Sequence, residues 1–273
     1  NSAFAPLVNW GLGQGWLRGL LQTVLGVHRD RQVLHYQRET FVRWWARRSA
    51  GRKVGTGKKA ALFAGCLVNY QATDVGKATV QVLEKNGVEV ALPDQSCCGM
   101  PSFDIGDTAA MVAAAERTIA SLKSWVDQGY DVVIPTPSCS LMVKREYLSL
   151  VAGDDAKRVA EHTYDISEYL MKMKREGGLA MDFTQKPGRV AYQVPCHLRD
   201  QNIGFKSKEL MECAGAKVEV IEKCSGHDGS WSAKVEFFPL SMKIAQKAVR
   251  VVEQAPADVV ASDCPLAGLQ LDQ

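Results

Sequence analysis

The sequence predicts an α/β protein built from two tandem Rossmann-like βαβαβ repeats related by a pseudo-twofold axis, preceded by a basic helical N-terminal extension. Three observations support this prediction. Short apolar segments alternate with helical patterns, cysteines follow those segments in the same order twice, and basic and tryptophan residues are concentrated near the N-terminus. Alternation of strands and helices implies parallel strands joined by right-handed crossovers.

The N-terminal extension, residues 1–59, is predicted to be a basic, Trp/Arg-rich helical docking segment. It holds 11 Lys/Arg against two acids, whereas residues 60–273 hold 22 Lys/Arg against 28 acids. Trp and Arg together suit a membrane interface, and they suit a protein docking face equally well. No nucleic-acid-binding motif accompanies the charge, so nucleic acid is not an expected partner. Residues 51–59, rich in Gly and Lys, are the expected joint to the body.

The first repeat is assigned to residues 60–150. Apolar spacing predicts its elements in the order strand 60–64, helix 73–86, strand 88–92, helix 107–128 and strand 131–134. Asp107 is placed to cap the start of the long helix, while Gly87 and Gly129 are placed to end the two helices.

The second repeat is assigned to residues 189–273, after a helical connection at residues 151–188. Its predicted elements follow the same order: strand 189–194, helix 208–213, strand 217–221, helix 240–254 and strand 258–261. The two copies therefore predict two parallel sheets of similar construction.

Seven of the eight cysteines come directly after predicted strands. They form a first thiol set, Cys66, Cys97, Cys98 and Cys139, and a second thiol set, Cys196, Cys224 and Cys264. The carboxyl ends of parallel strands meet at one edge of a sheet, where ligands bind in open α/β folds. Each thiol set is therefore expected to converge on one ligand.

The first thiol set has the donors of an iron–sulfur cluster, for which a [4Fe–4S] type is expected, because such clusters are commonly held by four Cys thiolates. Gly65 and Gly99 would let the backbone approach a bulky inorganic group. A zinc ion is an alternative, although the short Cys-x₂₋₄-Cys knuckles typical of zinc sites are missing. Buried structural or redox-active thiols are the third possibility.

The second thiol set lacks a fourth Cys, since Ser225 stands where the second Cys of the pair would be. His227, or else His197 beside Cys196, could complete a second metal site. A degenerate copy and a working copy both remain open. The eighth cysteine, Cys213, is interpreted as a core residue of a helix.

The residues around the thiols extend this pattern. They include Gly65-Cys66-Leu67-Val68-Asn69-Tyr70, Cys97-Cys98-Gly99-Met100-Pro101, Pro195-Cys196-His197 and, in the extension, Thr40-Phe41-Val42-Arg43-Trp44-Trp45. With them the chain resembles the cysteine-rich CCG domain family of iron–sulfur oxidoreductases, to which the B component of heterodisulfide reductase also belongs. Within that family it resembles the C components of anaerobic glycerol-3-phosphate dehydrogenases. It departs from the family motif at Ser225, Met142 and Ala267, where further cysteines are expected.

The resemblance implies the electron-transfer subunit of an oxidoreductase complex, with no catalytic residue assigned. Such a subunit passes electrons between a flavoprotein dehydrogenase subunit and a membrane quinone or another acceptor, with a ferredoxin-like iron–sulfur region or subunit as a further partner. A heterodisulfide or thiol–disulfide reductase component acting at Cys97 and Cys98 is the alternative, and a zinc- or thiol-stabilised docking scaffold is another. We expect a cytoplasmic protein, peripheral at the inner face of the cytoplasmic membrane, because no apolar run reaches spanning length and ligand thiols need a reducing compartment.

Overall fold

The computed structural model describes residues 2–48 and 57–273, so most of the expected joint, residues 51–56, lies outside the described residues. The N-terminal extension is helical, as predicted. Its helices are α1 (Ala5–Leu12), α2 (Gly15–Leu25) and α3 (Phe41–Arg48). Among the described residues, no helix has the length and apolar character needed to cross a membrane.

The first repeat has three strands and six short or long helices among the described residues. In chain order they are β1 (Lys59–Leu62), α4 (Gly65–Tyr70), α5 (Thr73–Lys85), β2 (Glu89–Ala91), α6 (Met100–Asp104), α7 (Thr108–Val126), β3 (Asp131–Ile134), α8 (Pro137–Leu141) and, after a π-helical turn at Met142–Glu146, α9 (Tyr147–Leu150). Asp107 caps α7 as predicted, since its side chain accepts a hydrogen bond from the Ala110 backbone N–H.

The connection and the second repeat complete the chain. The connection contains α10 (Asp154–Glu161), β4 (Thr163–Asp165) and α11 (Ile166–Arg175). The second repeat contains β5 (Arg189–Gln193), α12 (Cys196–Asp200), α13 (Lys206–Cys213), β6 (Lys217–Ile221), α14 (Phe238–Gln254), β7 (Val259–Ser262) and α15 (Pro265–Asp272).

The two sheets are parallel and have the same strand order, which confirms the predicted fold class. The first sheet runs β2-β1-β3-β4 and the second runs β6-β5-β7. In each copy the first strand is central, flanked by the second and third strands. Ala60 of β1 lies opposite Val90 and Asp131, and Tyr192 of β5 lies opposite Val220 and Ala261.

Strand β4 is absent from the sequence-based prediction, which describes residues 151–188 as helical. It has only three residues. The side chains of Thr163 and Asp165 make hydrogen bonds that are typical of the ends of helices. The Thr163 hydroxyl donates to the Val159 carbonyl oxygen of the preceding helix at 2.6 Å. The Asp165 side chain caps α11 in a capping box with Glu168. Pairing of β4 with β3 is a tertiary contact that no local pattern predicts.

The first copy has the larger hydrophobic core. Helix α7 buries Ile119, Leu122 and Val126 against the sheet, in a cluster that reaches β3 and α9. The corresponding helix of the second copy, α14, buries only small side chains, at Ser241, Ala245 and Ala248. Because small side chains remove less apolar surface from water, the second copy gains less stability from its own packing.

The N-terminal extension crosses both copies instead of standing apart from them. Residues 26–40, named here the bridging segment, pair with the second copy through an antiparallel bridge between Val27 and Lys234. At its other end the Gln37 backbone N–H donates to the Tyr70 carbonyl oxygen of the first copy at 2.7 Å. Phe41 follows directly and is fully buried among Leu62 and Val68.

Phe41 should therefore be a core residue of the first copy. We expect Phe41→Ala to lower the free energy of unfolding by about 3–5 kcal/mol, the usual effect of emptying a buried phenylalanine site. The neighbouring Val42 is 40% exposed, so Val42→Ala should change the free energy by less than about 0.5 kcal/mol. Urea denaturation of the two variants measures this difference. Equal effects would show that α3 is not part of the folded core.

Candidate functional site

The first thiol set lies at the carboxyl ends of three neighbouring strands. Cys66 is in α4 directly after β1, Cys97 and Cys98 are in the loop after β2, and Cys139 is in α8 after β3. Strands β2, β1 and β3 are adjacent in the sheet. The topology therefore brings together thiols that are up to 73 positions apart in the sequence.

The four sulfurs of this set are in contact. The Cys66 and Cys97 Sγ atoms are 3.9 Å apart, and Cys98 shares hydrogen bonds with both Cys97 and Cys139. Cys98 and Cys139 are buried, whereas Cys66 is exposed toward a cavity. The result is a continuous row of sulfurs with a buried end and an accessible end.

Hydrogen bonds between the sulfurs shift the pKa values of these four thiols in different directions. Hydrogen bonds from Cys66 and Cys98 lower the pKa of Cys97, and the hydrogen bond from Cys98 lowers the pKa of Cys139. The same bonds raise the pKa of Cys66 and Cys98, and burial raises both further. Cys97 and Cys139 are thus favoured as thiolates, the form that binds metals.

Two glycines next to cysteines of the first set have positive φ and closely packed surroundings. Gly65 has φ +66°, and a Cβ atom there would lie 3.0 Å from the Cys139 Sγ. Gly99 has φ +90°, and its Cβ atom would lie 3.1 Å from the Cβ atom of Ala114. Positive φ and close approach both favour glycine. The expectation that these glycines let the backbone approach a bulky inorganic group stays a prediction.

Two residues outside the cysteine motif hold the loops of the first set in place. The Gln95 side-chain oxygen accepts from the backbone N–H groups of Ala64 and Gly65, at 2.6 and 3.0 Å. The buried Tyr147 hydroxyl donates to the Cys98 carbonyl oxygen at 2.7 Å. Sequence reasoning missed both residues, because a Gln in a loop and a Tyr in a helix carry no local signal of these contacts.

The second thiol set has the same placement. Cys196 begins α12 after β5, Cys224 follows β6, and Cys264 follows β7. The Cys224 Sγ accepts a hydrogen bond from the Gly226 backbone N–H at 3.3 Å. Burial raises the pKa of Cys196 and Cys264. Unlike the first set, these sulfurs have no sulfur–sulfur hydrogen bond among the contacts of the described residues.

Two histidines lie beside the second set. Burial, followed by the charge of Arg31, lowers the pKa of His227 to about 4, so its imidazole is neutral near pH 7 and able to bind a metal. His197 is hydrogen bonded through Nδ1 to the Ser138 hydroxyl of the first copy at 2.9 Å. His197 therefore links the two thiol sets, through residues adjacent to Cys196 and Cys139.

One cavity of about 540 Å³ joins the two sets. Its wall includes thiols from both copies, both histidines and residues of the bridging segment. The thiols are Cys66, Cys97, Cys98, Cys139, Cys196 and Cys264. The two copies thus present their strand ends to each other across a shared space.

Buried polar contacts hold the copies in this arrangement. The Gln201 side chain donates to the Ser140 hydroxyl at 2.8 Å and to the Pro137 carbonyl oxygen at 3.2 Å. The Ser207 hydroxyl lies 2.8 Å from the Ser167 hydroxyl and 2.6 Å from the Asp263 carboxylate. Ser140 follows Cys139 of the first set, and Asp263 precedes Cys264 of the second set. These contacts therefore lie next to one thiol of each set.

The donors fit an iron–sulfur cluster. The first set offers four sulfurs, two of them favoured as thiolates, with glycine backbone beside them, and the second offers three sulfurs and a neutral imidazole. In residues 2–48 and 57–273, no three His, Cys, Asp or Glu side chains are grouped as the ligands of a single metal ion.

The interpretation of Cys213 as a core residue is wrong. Cys213 is half-exposed, and the Lys174 ammonium group donates to its Sγ at 2.9 Å. Its helix, α13, turns this position toward α11 at the surface. Cys213 lies outside the shared cavity and serves below as a control position.

Comparison with known proteins finds the same repeat. The family model for the cysteine-rich CCG domain matches residues 60–144 and again residues 190–272. The C component of the anaerobic glycerol-3-phosphate dehydrogenase of Escherichia coli (strain K12) is 28% identical over 276 residues, covering 100% of this chain and 69% of that protein. Lactate utilization protein A of Geobacillus thermodenitrificans (strain NG80-2) is 32% identical over 219 residues, covering 76% of this chain and 87% of that protein.

The shared protons predict a distinctive pH dependence in the iron-free, reduced protein. The alkylation rate of Cys97 should have its pH midpoint below about 8.5, the ordinary Cys value, because its lowered pKa keeps the thiolate at lower pH. The midpoint of Cys196 should lie above that value. Peptide mass spectrometry after brief iodoacetamide treatment measures both. In Cys66→Ala the midpoint of Cys97 should rise, and an unchanged midpoint would contradict the shared-proton arrangement.

Proposed function

The chain belongs to the cysteine-rich CCG domain family, and we propose that it transfers electrons through an iron–sulfur cluster held by Cys66, Cys97, Cys98 and Cys139. The observation that carries this proposal is the contact of four thiols at the ends of three parallel strands. When bound, such a cluster supplies one-electron redox chemistry. A [4Fe–4S] type agrees with the four donors.

The protein residues have separate tasks in this proposal. Cys97 and Cys139 are the thiols already favoured as thiolates, so binding a metal displaces fewer protons from them. Gln95 and Tyr147 fix the backbone beside Cys66 and Cys98, which keeps the ligand positions constant between redox states. The shared cavity leaves the exposed Cys66 end open to an electron donor or acceptor.

The names of the relatives suggest partners for this chain, and we propose the following ones. One relative is a component of a glycerol-3-phosphate dehydrogenase, so we propose that this chain accepts electrons from a flavoprotein dehydrogenase subunit. A ferredoxin-like iron–sulfur region or subunit is the proposed further partner, and a membrane quinone is the proposed acceptor. The substrate oxidised by the partner is left open, since the relatives' names point to two different substrates.

Disulfide reduction is the second candidate function. The observation that favours it is the pair of Cys66 and Cys97 sulfurs, 3.9 Å apart, on the wall of a cavity able to admit a small thiol compound. In this alternative the thiols of the first set exchange with a disulfide substrate. Iron and sulfide analysis of anaerobically purified protein separates cluster-based electron transfer from a zinc- or thiol-stabilised scaffold. Turnover of a disulfide substrate separates the two redox functions.

The first thiol set provides the direct test. Cys98→Ala should remove about four iron atoms per chain and the EPR signal of the first site, because it deletes a central ligand. Cys213→Ala is the matched control, since Cys213 lies outside the cavity, and should keep iron and spectrum unchanged. Iron analysis and EPR of dithionite-reduced samples measure both variants. Full iron and an unaltered spectrum in Cys98→Ala would overturn the assignment.

We also propose that α1 and α2 attach the protein to the inner face of the cytoplasmic membrane. These helices expose Trp10 and Trp16, at 58% and 68%, together with Leu7, Leu20 and Val24. No acidic residue precedes Asp30. Exposed Trp and aliphatic side chains without nearby acids suit the interface of an anionic bilayer. A protein docking face for a membrane-bound partner is the competing interpretation.

Vesicle binding distinguishes these interpretations. Replacing both Trp10 and Trp16 by Ser should weaken co-sedimentation with vesicles containing phosphatidylglycerol by at least about tenfold, because two apolar anchors are lost. Val259→Ser is the control, since Val259 is half-exposed but lies in β7 of the second copy. Unchanged sedimentation of the double variant, with loss of binding to the partner protein, would favour the protein docking face.

A further inference from the structure

Arg31, in the bridging segment, is buried with 2% exposure, deep against the second copy. Among the described residues, its guanidinium makes hydrogen bonds only to neutral groups. Nη1 donates to the side-chain oxygens of Gln270 and Gln273, while Nη2 donates to the Ser232 carbonyl oxygen at 2.6 Å and to the Ser241 hydroxyl at 3.0 Å. The cation is therefore well oriented but not neutralised by these partners.

The charge of Arg31 lacks a counter-ion. In the part of the chain that the structure describes, no carboxylate forms an ion pair with it, and its Nε has no hydrogen-bond partner. The Phe238 ring, 4.8 Å from the guanidinium carbon, offers only a cation–π contact. Burial lowers the pKa of Arg31. An unpaired charge that has lost its hydration is unfavourable, so such an arrangement calls for a negative group nearby.

Arg31 is connected through Ser241 to the loop that carries Cys224. Ser241, which is hydrogen bonded to Arg31, also donates from its hydroxyl to the Gly226 carbonyl oxygen at 2.7 Å, in the loop that carries Cys224. The Arg31 charge also acts on His227 in the same loop. Arg31 lines the shared cavity together with Cys196 and Cys264. The cation thus shares a cavity wall with two of the three thiols of the second set, Cys196 and Cys264.

The position of Arg31 is imposed by the fold. The Arg18 guanidinium in α2 donates to the carbonyl oxygens of Leu12, His28, Arg29 and Arg31, which fixes the turn that carries Arg31. His28 stacks on Phe238 with ring centroids 3.9 Å apart. These contacts fix the turn, so the buried position of Arg31 is determined by the surrounding structure.

We propose that Arg31 supplies the positive charge that balances an anionic, thiolate-ligated iron–sulfur cluster held by Cys196, Cys224 and Cys264. This inference rests on the proposed function for the chemistry of the cofactor. Three thiolates give the bound group a net negative charge, whereas a vacant site or three neutral thiols leave Arg31 uncompensated. Addition of one electron, without a proton, makes the group more negative. Arg31 therefore favours its reduced form and raises its reduction potential.

Three variants separate the effect of the Arg31 charge on the reduction potential from the effect of its hydrogen bonds. Arg31→Gln removes the charge, Arg31→Lys keeps it, and Gln270→Glu gives Arg31 the carboxylate partner that it lacks. At the wild-type midpoint potential of the second cluster, Arg31→Gln and Gln270→Glu should each lower the reduced-to-oxidised ratio about tenfold, a shift of about 59 mV for one electron. Arg31→Lys should stay close to wild type. The first cluster, titrated by EPR in the same samples, should not shift.

Folding and cofactor loading are tested separately. Gln270→Glu should raise the melting temperature of the iron-free chain, because it pairs a buried charge, so this variant remains informative if Arg31→Gln does not fold. Unshifted midpoints in Gln270→Glu and Arg31→Gln, or equal loss of second-site iron in Arg31→Gln and Arg31→Lys, would overturn the inference.

The wild-type iron content distinguishes the two proposals. About seven or eight iron atoms per chain agree with both. About four, with none lost in Cys224→Ala, would overturn the second cluster and leave the proposed function in place. Protein without iron after anaerobic purification and reconstitution would overturn the proposed function itself.

Discussion

Parallel strand pairing is the constraint on which the rest of this structure depends. Because every paired strand of both sheets runs parallel, the loops after the strands emerge at one edge of each sheet. Cysteines that are far apart in sequence thereby meet, and the two edges face each other across one cavity. The same strand order, with the first strand central in each copy, explains why matching cysteines occupy matching positions.

The two copies share a construction but differ in how they are stabilised. The first copy buries large side chains of α7 and has sulfurs in mutual contact, with Gln95 and Tyr147 holding their loops. In the second copy the long helix α14 buries only small side chains, and the bridging segment packs against this helix, where His28 stacks on Phe238 and Arg31 donates to Ser241. The N-terminal extension is therefore a structural part of the second site as well as the proposed docking element.

The extension connects the proposed docking helices to the wall of the shared cavity. Helices α1 and α2 expose apolar side chains, and the turn that follows α2 carries Arg31 to the cavity wall. Arg18 connects the two, since it lies in α2 and holds the carbonyl oxygens of that turn. Gln22, also in α2, accepts a hydrogen bond from the Arg29 backbone N–H of the same turn at 2.9 Å.

Much of the fold and of the thiol sets follows from the sequence alone. Strand β3 and strand β6 have the predicted bounds, Asp107 caps α7, and each repeated cysteine follows a strand, because short-range apolar patterns and capping residues determine these features. Strand β4 could not be predicted, since it exists only by pairing with β3. The surface position of Cys213 likewise depends on how α13 lies against α11.

The roles of Gln95, Tyr147 and Arg31 were decided only by the tertiary structure. Each acts on a partner that is distant in sequence, as Arg31 does on Gln270, and no local spacing encodes such a contact. A buried cation without a carboxylate is visible only when its surroundings are known. The sequence by itself determined which thiols lie together at the strand ends, because that depends on residue type and on position after a strand. The tertiary structure decided which charges and backbone groups surround them, because burial and long-range packing set those interactions.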